Sequence, residues 1–326
     1  MNHKKSISQY DVIRELRFPM IVLVTYAHSY GNVADGFSLL ASDWNTYEFL
    51  KLLISQILVK VAVPVFFIMS GYLFFVNIKE WNMQVYKAKI LRRIKTLLIP
   101  YLVWNLLMAL KLKTYSWSFF WEPVNMPLWF LRDLMLVILL TPIIYYGVRK
   151  LGYWLLILLI PVYLTGIWLI QPGVNPYGLC FFTLGAYLGI RKMELVNSVL
   201  YYEKSSYILT IMFGLVMLCT YHTSAFPPLM LCFRISGAIT VFCLCYRVLS
   251  RTSRRIPDVI SSSSYFIYLA HYVLFFSFID EAFFSIFGFS TISLSVHYLL
   301  CPLLKVTILV VAYAAYHTIR GVFFQS

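Results

Sequence analysis

Two residues of the first apolar segment, Arg17 and His28, have side chains suited to binding an anion and transferring a proton. A guanidinium pairs strongly with phosphate, and an imidazole, with a reference pKa of about 6.5, can take up and return a proton near neutral pH. On a helix, the separation between Arg17 and His28 corresponds to about three turns plus 20°, with a rise of about 16 Å. We therefore predict that both residues line one helix face, at two depths.

Lys60 lies within a second apolar segment, "LVKVAVPVFFIMSGYLFF". A charge at the centre of a spanning helix costs about 2.5–3.5 kcal/mol on insertion scales, which favours a functional role. Lys60, Pro64, Phe67 and Gly71 recur at helical spacing, so we predict that they share a face turned into the protein. Ser70 and Gly71 then either line a cavity or allow a close helix crossing through small residues.

Several other kinds of catalytic site are not predicted. No histidine pair has metal-ligand spacing with a supporting cysteine or carboxylate, so we expect no metal site. The six cysteines all lie in apolar runs and are interpreted as packing residues. There is also no nucleophile elbow, phosphate-binding loop or dinucleotide-binding turn.

The composition defines the elements that must position these residues. Hydrophobic residues make up 61% of the 326 and charged residues 12%. Repeated apolar runs of about 20 residues fit the hydrocarbon core of a bilayer. The sequence predicts an all-α integral membrane protein of about ten transmembrane helices: 16–31, 50–76, 96–111, 127–148, 151–170, 176–190, 206–221, 228–249, 262–280 and 292–319.

Charge distribution predicts the orientation of these helices. Most of the 27 lysines and arginines fall in alternate loops, which places both termini in the cytoplasm by the positive-inside rule. We therefore interpret the net charge of +14 as the result of basic loops that orient the helices in the membrane, and we predict no nucleic-acid partner. The basic stretch from Asn77 to Lys95 is amphipathic and could lie along the membrane surface. We predict one domain over residues 1–326, with no appended soluble domain.

Four stretches, in order, resemble the membrane-bound acyltransferase family 3, whose members acylate bacterial surface glycans. They are the Arg17-x10-His28 element, "VPVFFIMSGYLFF", the basic cluster of "KILRRIKTLLIPYLVW" and "PLWFLRDL". The later "SYFIYLAHYVLFF", which contains His271, is similar to the penultimate helix of the family. One departure is Arg14, where members commonly have an aspartate, and Glu15 or Asp11 are candidates to replace it.

The resemblance implies an enzyme of the plasma membrane that takes its acyl group from cytoplasmic acyl-CoA, with no permanently bound cofactor. Acetyl-CoA is the expected co-substrate, and succinyl transfer is a known variation. The implied acceptor is a hydroxyl of a surface polysaccharide or of a lipid-linked sugar precursor. The family resemblance leaves a homo-oligomer open.

The residues are assigned roles on this basis. His28 is predicted to be the general base, with a transient acyl-histidine as an alternative. Arg17, Lys89, Arg92 and Arg93 are candidates for holding the CoA phosphates, although positive inner loops have plain topological causes too. Lys60 or the Ser70 hydroxyl could stabilise the oxyanion, and Lys60 could also contact the acyl-CoA. On the acceptor side, Asp35 or Asp43 could orient the imidazole and Trp129 could stack on a sugar.

Two other classes of protein share some of these features. A flippase or exporter of a lipid-linked saccharide would also need intramembrane charge and basic inner loops, but not an imidazole at a fixed distance from Arg17. A non-catalytic scaffold or sensor would bind no acyl-CoA. Replacing His28 separates an enzyme from a transporter, and charge reversal at Arg92 and Arg93 separates an acyl-CoA-binding protein from a scaffold.

Overall fold

The described part of the chain is almost entirely helical, with no β-strand among its residues. The computed structural model describes residues 7–29, 33, 37–40, 44–114, 116–165, 174–221, 223–252, 254–272 and 277–323.

Fifteen α-helices are present in these ranges. They are α1 (Gln9–Ser29), α2 (Thr46–Leu50), α3 (Ala62–Phe75), α4 (Met83–Arg93), α5 (Ile99–Leu112), α6 (Trp129–Leu139), α7 (Thr141–Leu151), α8 (Trp154–Thr165), α9 (Pro176–Ile190), α10 (Leu195–Leu200), α11 (Glu203–Thr220), α12 (Phe226–Arg251), α13 (Asp258–Ala270), α14 (Ser277–Phe287) and α15 (Thr291–Phe323). A π-helical turn and a 3-10 turn, Lys51–Ile57 and Leu58–Val61, join α2 to α3, and a π-helical turn, Ile94–Leu98, joins α4 to α5.

The number of helices long and apolar enough to cross a membrane is smaller than the predicted ten. Within the described ranges five helices qualify, or six if one bent pair forms a single span. The five are Thr46–Phe75, Met83–Leu112, Glu203–Thr220, Pro228–Arg251 and Thr291–Ile319. Of the stretch predicted to lie along the surface, residues 83–95 form the first part of the long helix Met83–Leu112, and residues 77–82 precede it.

The predicted spans that do not qualify have identifiable causes. At 151–170 and 176–190 the helices of the described residues, α8 and α9, are too short to count as spans. Helix α1 is long enough, but Arg14, Glu15 and Arg17 in its first half make it too charged to qualify on apolarity. The predicted helix 127–148 is divided at Leu140, where α6 and α7 meet at 60° and Pro142 opens the second helix. The predicted helix 262–280 is two helices, because α13 ends at Ala270 and α14 begins at Ser277.

The chain divides into two compact units. The first contains residues 1–62 and 199–326, and the second contains residues 63–198. In the first unit α11 and α12 pack as a hairpin, and α1 packs against α12, α13 and α15. That residues 1–326 act as one domain stays a prediction.

In the second unit α3 crosses α9 at close range through glycines. A Cβ on Gly185 would lie 2.0 Å from the Ile68 carbonyl oxygen, and one on Gly71 would lie 2.1 Å from the Phe182 carbonyl oxygen. The two backbones therefore meet without intervening side chains, as small residues permit in membrane helices. Beyond α3, the Lys192 ammonium donates to the Val76 carbonyl oxygen at 2.7 Å.

Candidate active site

The first half of α1 is fixed to the segment that leads into α13. The Arg14 guanidinium donates to the Ile256 carbonyl oxygen at 2.9 Å and pairs with the Asp258 carboxylate at 2.8 Å. The Glu15 carboxylate accepts the Ile256 N–H at 2.7 Å, and the Ser261 hydroxyl donates to the Arg14 carbonyl oxygen at 3.1 Å. These contacts set α1 and α13 side by side, running in the same direction from a common starting level.

The second half of α1 is fixed by hydroxyl groups. The Tyr26 hydroxyl donates to the Leu299 carbonyl oxygen of α15 at 2.6 Å. The Ser55 hydroxyl, in the π-helical turn after α2, donates to the Tyr26 carbonyl oxygen at 3.1 Å and lies 2.7 Å from the Tyr298 hydroxyl. This network holds α1 to two neighbouring elements just before His28.

Because α1 and α13 share this register, their far ends bring two histidines together. The ring centroids of His28 and His271 lie 5.5 Å apart at an interplanar angle of 46°, and the Tyr272 ring lies 6.1 Å from that of His28. His28 is half-buried and His271 is buried. Two imidazoles and a phenol therefore form one cluster at the end of α1.

The hydrogen bonds of His271 define its tautomer. Its Nδ1 lies 3.0 Å from the Ile267 carbonyl oxygen and 2.8 Å from that of Tyr268. Carbonyl oxygens only accept, so we assign the proton to Nδ1, which leaves Nε2 with a lone pair. Nε2 is buried and has no hydrogen-bond partner among the described residues. The ring is thus anchored at one nitrogen and available as an acceptor at the other.

Lys60 lies beside this histidine pair. The 3-10 turn that carries it packs against α1 and α12, and Val61 occupies the space left by Gly237, where a Cβ would lie 2.6 Å from Val61 Cγ2. The Lys60 ammonium is close enough to act electrostatically on His28, and Arg234 of α12 acts on Lys60 in the same way. Lys60 is therefore a positive charge close to His28.

The shared face predicted for Lys60 and Gly71 assumed an uninterrupted α-helix. Lys60 instead lies in the 3-10 turn Leu58–Val61, which precedes α3. The angle between Lys60 and Gly71 around the helix axis therefore differs from that of a continuous α-helix.

Arg17 and His28 do lie on one continuous helix, as their spacing predicts. The Arg17 side chain is exposed, in the charged half of α1, while His28 lies near the opposite end. The predicted passage joining them stays a prediction.

The other predicted CoA ligands belong to the second unit. The Lys89 ammonium donates to the Phe74 carbonyl oxygen at 2.6 Å and lies 4.8 Å from the centroid of the Phe74 ring. It therefore satisfies a carbonyl at the end of α3, where a cation is favoured. Arg92 is exposed and Arg93 is half-buried. Among the described residues, neither arginine side chain donates to a backbone carbonyl oxygen.

The remaining predicted residues differ in their surroundings. Gly71 serves the crossing of α3 with α9, which is the second of the two roles considered for it, and Ser70 beside it is half-buried. Trp129 begins α6, with its ring centroid 6.4 Å from that of Tyr177. Asp35 and Asp43 lie outside the described residues.

A second polar cluster lies between α14 and α15. The Asp280 carboxylate accepts from Lys305 at 3.1 Å and lies 3.0 Å from His297 Nε2. Cys301 is one turn from both His297 and Lys305 on α15, and the potential ligand atoms of Asp280, His297 and Cys301 lie within 4.8 Å of one another. These residue types can bind zinc, but the Asp280 carboxylate is already paired with the Lys305 ammonium.

The helices and the cluster define a class: a multi-pass membrane protein with a half-buried and a buried histidine in ring contact. Residues 15–316 match the family described as "Acyltransferase domain", and the chain belongs to this acyltransferase family 3. The resemblance noted in the sequence is thereby confirmed.

A curated relative is the succinoglycan biosynthesis protein ExoH of Rhizobium meliloti (strain 1021). It is 28% identical over 130 residues, which cover 31% of this chain and 34% of the relative. The match thus spans about a third of that protein's length. No solved structure matches the chain.

Sequence reasoning assigned no role to His271, although it noted this histidine within a span. The available signal was that "SYFIYLAHYVLFF" ends α13 with an imidazole, as α1 ends with His28. The contact between them depends on the register set by Arg14, Glu15 and Ser261, which no spacing within one helix reveals.

Proposed function

We propose that the protein is a membrane O-acyltransferase. It moves an acyl group, with acetyl favoured, from cytoplasmic acyl-CoA to a hydroxyl of a surface polysaccharide or of a lipid-linked precursor. Membership of the acyltransferase family supports this proposal, as does the similarity to a protein of succinoglycan biosynthesis. The single observation that carries the chemistry is the 5.5 Å contact between the rings of His28 and His271.

In the proposed reaction His28 is the general base. In the reacting complex one N–H group of His28 donates a hydrogen bond to Nε2 of His271 and keeps its proton, and the other ring nitrogen of His28 is left as an acceptor. The ring centroids lie 5.5 Å apart and Nε2 of His271 has no hydrogen-bond partner among the described residues, so the proposed hydrogen bond requires the two rings to turn these nitrogens toward each other. Because both His271 nitrogens then have partners, the pair is held in one protonation pattern.

The acceptor hydroxyl gives its proton to His28 as its oxygen attacks the thioester carbon. The tetrahedral oxyanion forms beside Lys60, whose positive charge stabilises it, with Arg234 adding to the field. The carbon–sulfur bond then breaks, and the CoA thiolate takes the proton back from the His28 imidazolium. The products are an O-acyl ester and free CoA.

In the proposed orientation the protein lies in the plasma membrane and both of its termini are in the cytoplasm. The basic loops favour it, because lysine and arginine are enriched on the cytoplasmic side. Arg17 would then lie at the cytoplasmic end of α1 and His28 near the outer end. The roles predicted for Arg17, Arg92 and Arg93 at the CoA phosphates, and for Trp129 at the sugar, stay predictions.

The test is transfer of labelled acetyl from acetyl-CoA by purified protein in lipid nanodiscs. We expect His28→Ala to lower the transfer rate by about 10²- to 10⁴-fold, the usual contribution of a general base. Binding of CoA should persist in this variant, because the phosphates are held elsewhere. The matched control is His317→Ala, an exposed histidine on α15, which should keep the wild-type rate.

The alternative transporter predicts a different pattern. An exporter would move a labelled lipid-linked saccharide equally well in the wild type and in His28→Ala. Acetyl-CoA that stays intact with a panel of glycan acceptors, together with His28-independent lipid transport, would overturn the proposal.

A further inference from the structure

A cleft of about 510 Å³ lies between α1 and the second half of α12, within the first unit. Its lining is almost entirely apolar and includes Leu16, Pro19, Met20, Leu244, Cys245 and Val248. The residues on α12 recur at intervals of three or four, so they form one stripe along the helix. The cleft is elongated along two helices and open at the surface of the unit.

Positive charge closes one end of this cleft. Arg254 and Arg255, which follow the end of α12, both line it. Arg255 forms an ion pair with Asp11. Arg254 is exposed and has no ion pair or hydrogen bond among the described residues.

The acidic residue that lines the cleft, Glu15, already has partners for its carboxylate. Its carboxylate accepts the Ile256 N–H at 2.7 Å and lies 3.6 Å from the Arg14 guanidinium. Glu15 therefore does not neutralise Arg254, and Arg254 remains the lining cation without an ion pair among the described residues.

The cleft is separate from the proposed catalytic face of α1. Pro19 precedes His28 by nine residues, which is about two and a half helical turns. The two side chains thus point to opposite sides of α1. A molecule held in the cleft would not reach the histidine pair, so the cleft is not the path of the acyl group.

We propose that the cleft binds one acyl chain of an anionic phospholipid, with the lipid phosphate at Arg254, whose guanidinium has no ion pair among the described residues. The apolar lining matches a hydrocarbon chain, and the guanidinium matches the phosphate in both charge and hydrogen bonding. Bilayer chains are as apolar as the cleft, so the lining by itself gives no preference over bulk lipid. Selectivity therefore comes from the headgroup, and a lipid with net negative charge is favoured over a zwitterionic one.

The test uses the full-length protein, stripped of lipid in detergent and titrated with phosphatidylglycerol or phosphatidylcholine of identical chains. Native mass spectrometry measures the bound lipid. We expect tighter binding of phosphatidylglycerol by about fivefold or more, since each basic residue near a lipid phosphate contributes about that factor. Arg254→Gln should remove most of this preference, whereas Arg251→Gln, an equal loss of charge three residues away, should preserve it.

A second pair of variants tests the chain. Leu244→Trp fills the cleft and should weaken the binding of both lipids, with Leu244→Phe as a milder form if the first fails to fold. Equal binding of the two lipids would overturn the proposal. It would also fail if Arg251→Gln acts as strongly as Arg254→Gln, if filling the cleft leaves binding unchanged, or if free CoA displaces phosphatidylglycerol.

Discussion

The imidazole rings of His28 and His271 lie 5.5 Å apart, although 243 positions separate them in the sequence numbering. The hydrogen bonds of His271 Nδ1 to two main-chain carbonyls turn its other nitrogen, Nε2, into a buried acceptor. A buried lone pair without a partner is costly, and a hydrogen bond donated by His28 would satisfy it. We expect His271 to position His28 rather than to contact the acyl group itself.

Replacing His271 by Phe should test this positioning role. The phenyl ring keeps much of the packing but offers no acceptor, so we expect kcat to fall by about 10- to 150-fold, the value of one hydrogen bond to a charged group. The KM for acyl-CoA should stay near the wild-type value, because its phosphates bind elsewhere. Steady-state transfer kinetics measure both quantities.

The control for His271→Phe is Tyr272→Phe, which keeps a ring near His28 and should lower kcat much less. His271→Gln restores an acceptor and should recover part of the rate. A wild-type kcat in His271→Phe would show that His28 works without its neighbour.

Gly185→Ala should destabilise the second unit. The new Cβ would lie 2.0 Å from the Ile68 carbonyl oxygen, so α3 and α9 must move apart. Overpacking of this kind costs about 1–3 kcal/mol, which should appear as a lower melting temperature in detergent.

Gly214→Ala provides the matched comparison for Gly185→Ala. Its added Cβ would meet Phe233 Cε2 at 3.4 Å, an ordinary contact, so alanine's better helix propensity should leave stability equal or slightly higher. An equal loss in both variants would mean that the helix crossing is not the cause.

Asp11 should contribute to acid sensitivity. Its hydrogen bond from Arg255 lowers the pKa of the carboxyl from 3.8 to about 2. A lowered folded-state pKa stabilises the fold above about pH 4, and this contribution is lost as the pH falls from about 4 to 2. Since both side chains are partly exposed, the effect should be at most about 1 kcal/mol.

Thermal unfolding between pH 2 and pH 6 checks the role of Asp11. Asp11→Asn should flatten this part of the profile, and Arg255→Gln should do the same. Arg254→Gln should leave it unchanged, because Arg254 does not contact Asp11. A wild-type profile in Asp11→Asn would rule out this pair as a source of acid sensitivity.

Lys305→Met should change the cluster of Asp280, His297 and Cys301 in two ways. Loss of the ammonium leaves the Asp280 carboxylate with one fewer donor, which should cost about 1.5–3 kcal/mol of stability. It also removes the cation paired with Asp280, one of a possible set of zinc ligands. We expect zinc to raise the melting temperature of the variant.

The wild-type protein should respond to neither zinc nor EDTA, because Lys305 already neutralises Asp280. Adding Cys301→Ser to Lys305→Met should remove the response to zinc. A melting temperature that falls with EDTA in the wild type would instead indicate a resident metal at this cluster.

The sequence was most informative where one local pattern decides the structure. The apolar runs predict the helices Pro176–Ile190 and Glu203–Thr220 closely, and the spacing of Arg17 and His28 matches a continuous α1. It was wrong for 127–148 and 262–280, where hydropathy continues through a break in the helix. Hydropathy averaged over a window of residues stays high across a proline such as Pro142 or a turn such as that after Ala270, so it does not show that the helix ends there.

The sequence by itself determined that this chain is a helical membrane protein of the acyltransferase family, with Arg17 and His28 on one helix. Those properties follow from composition and from spacing within single elements. Only the tertiary structure decided that His271 lies beside His28, that Gly71 serves a helix crossing and that Lys305 pairs with Asp280. Such contacts depend on the register between helices, which is set by hydrogen bonds between residues distant in the chain, such as Arg14 and Ile256.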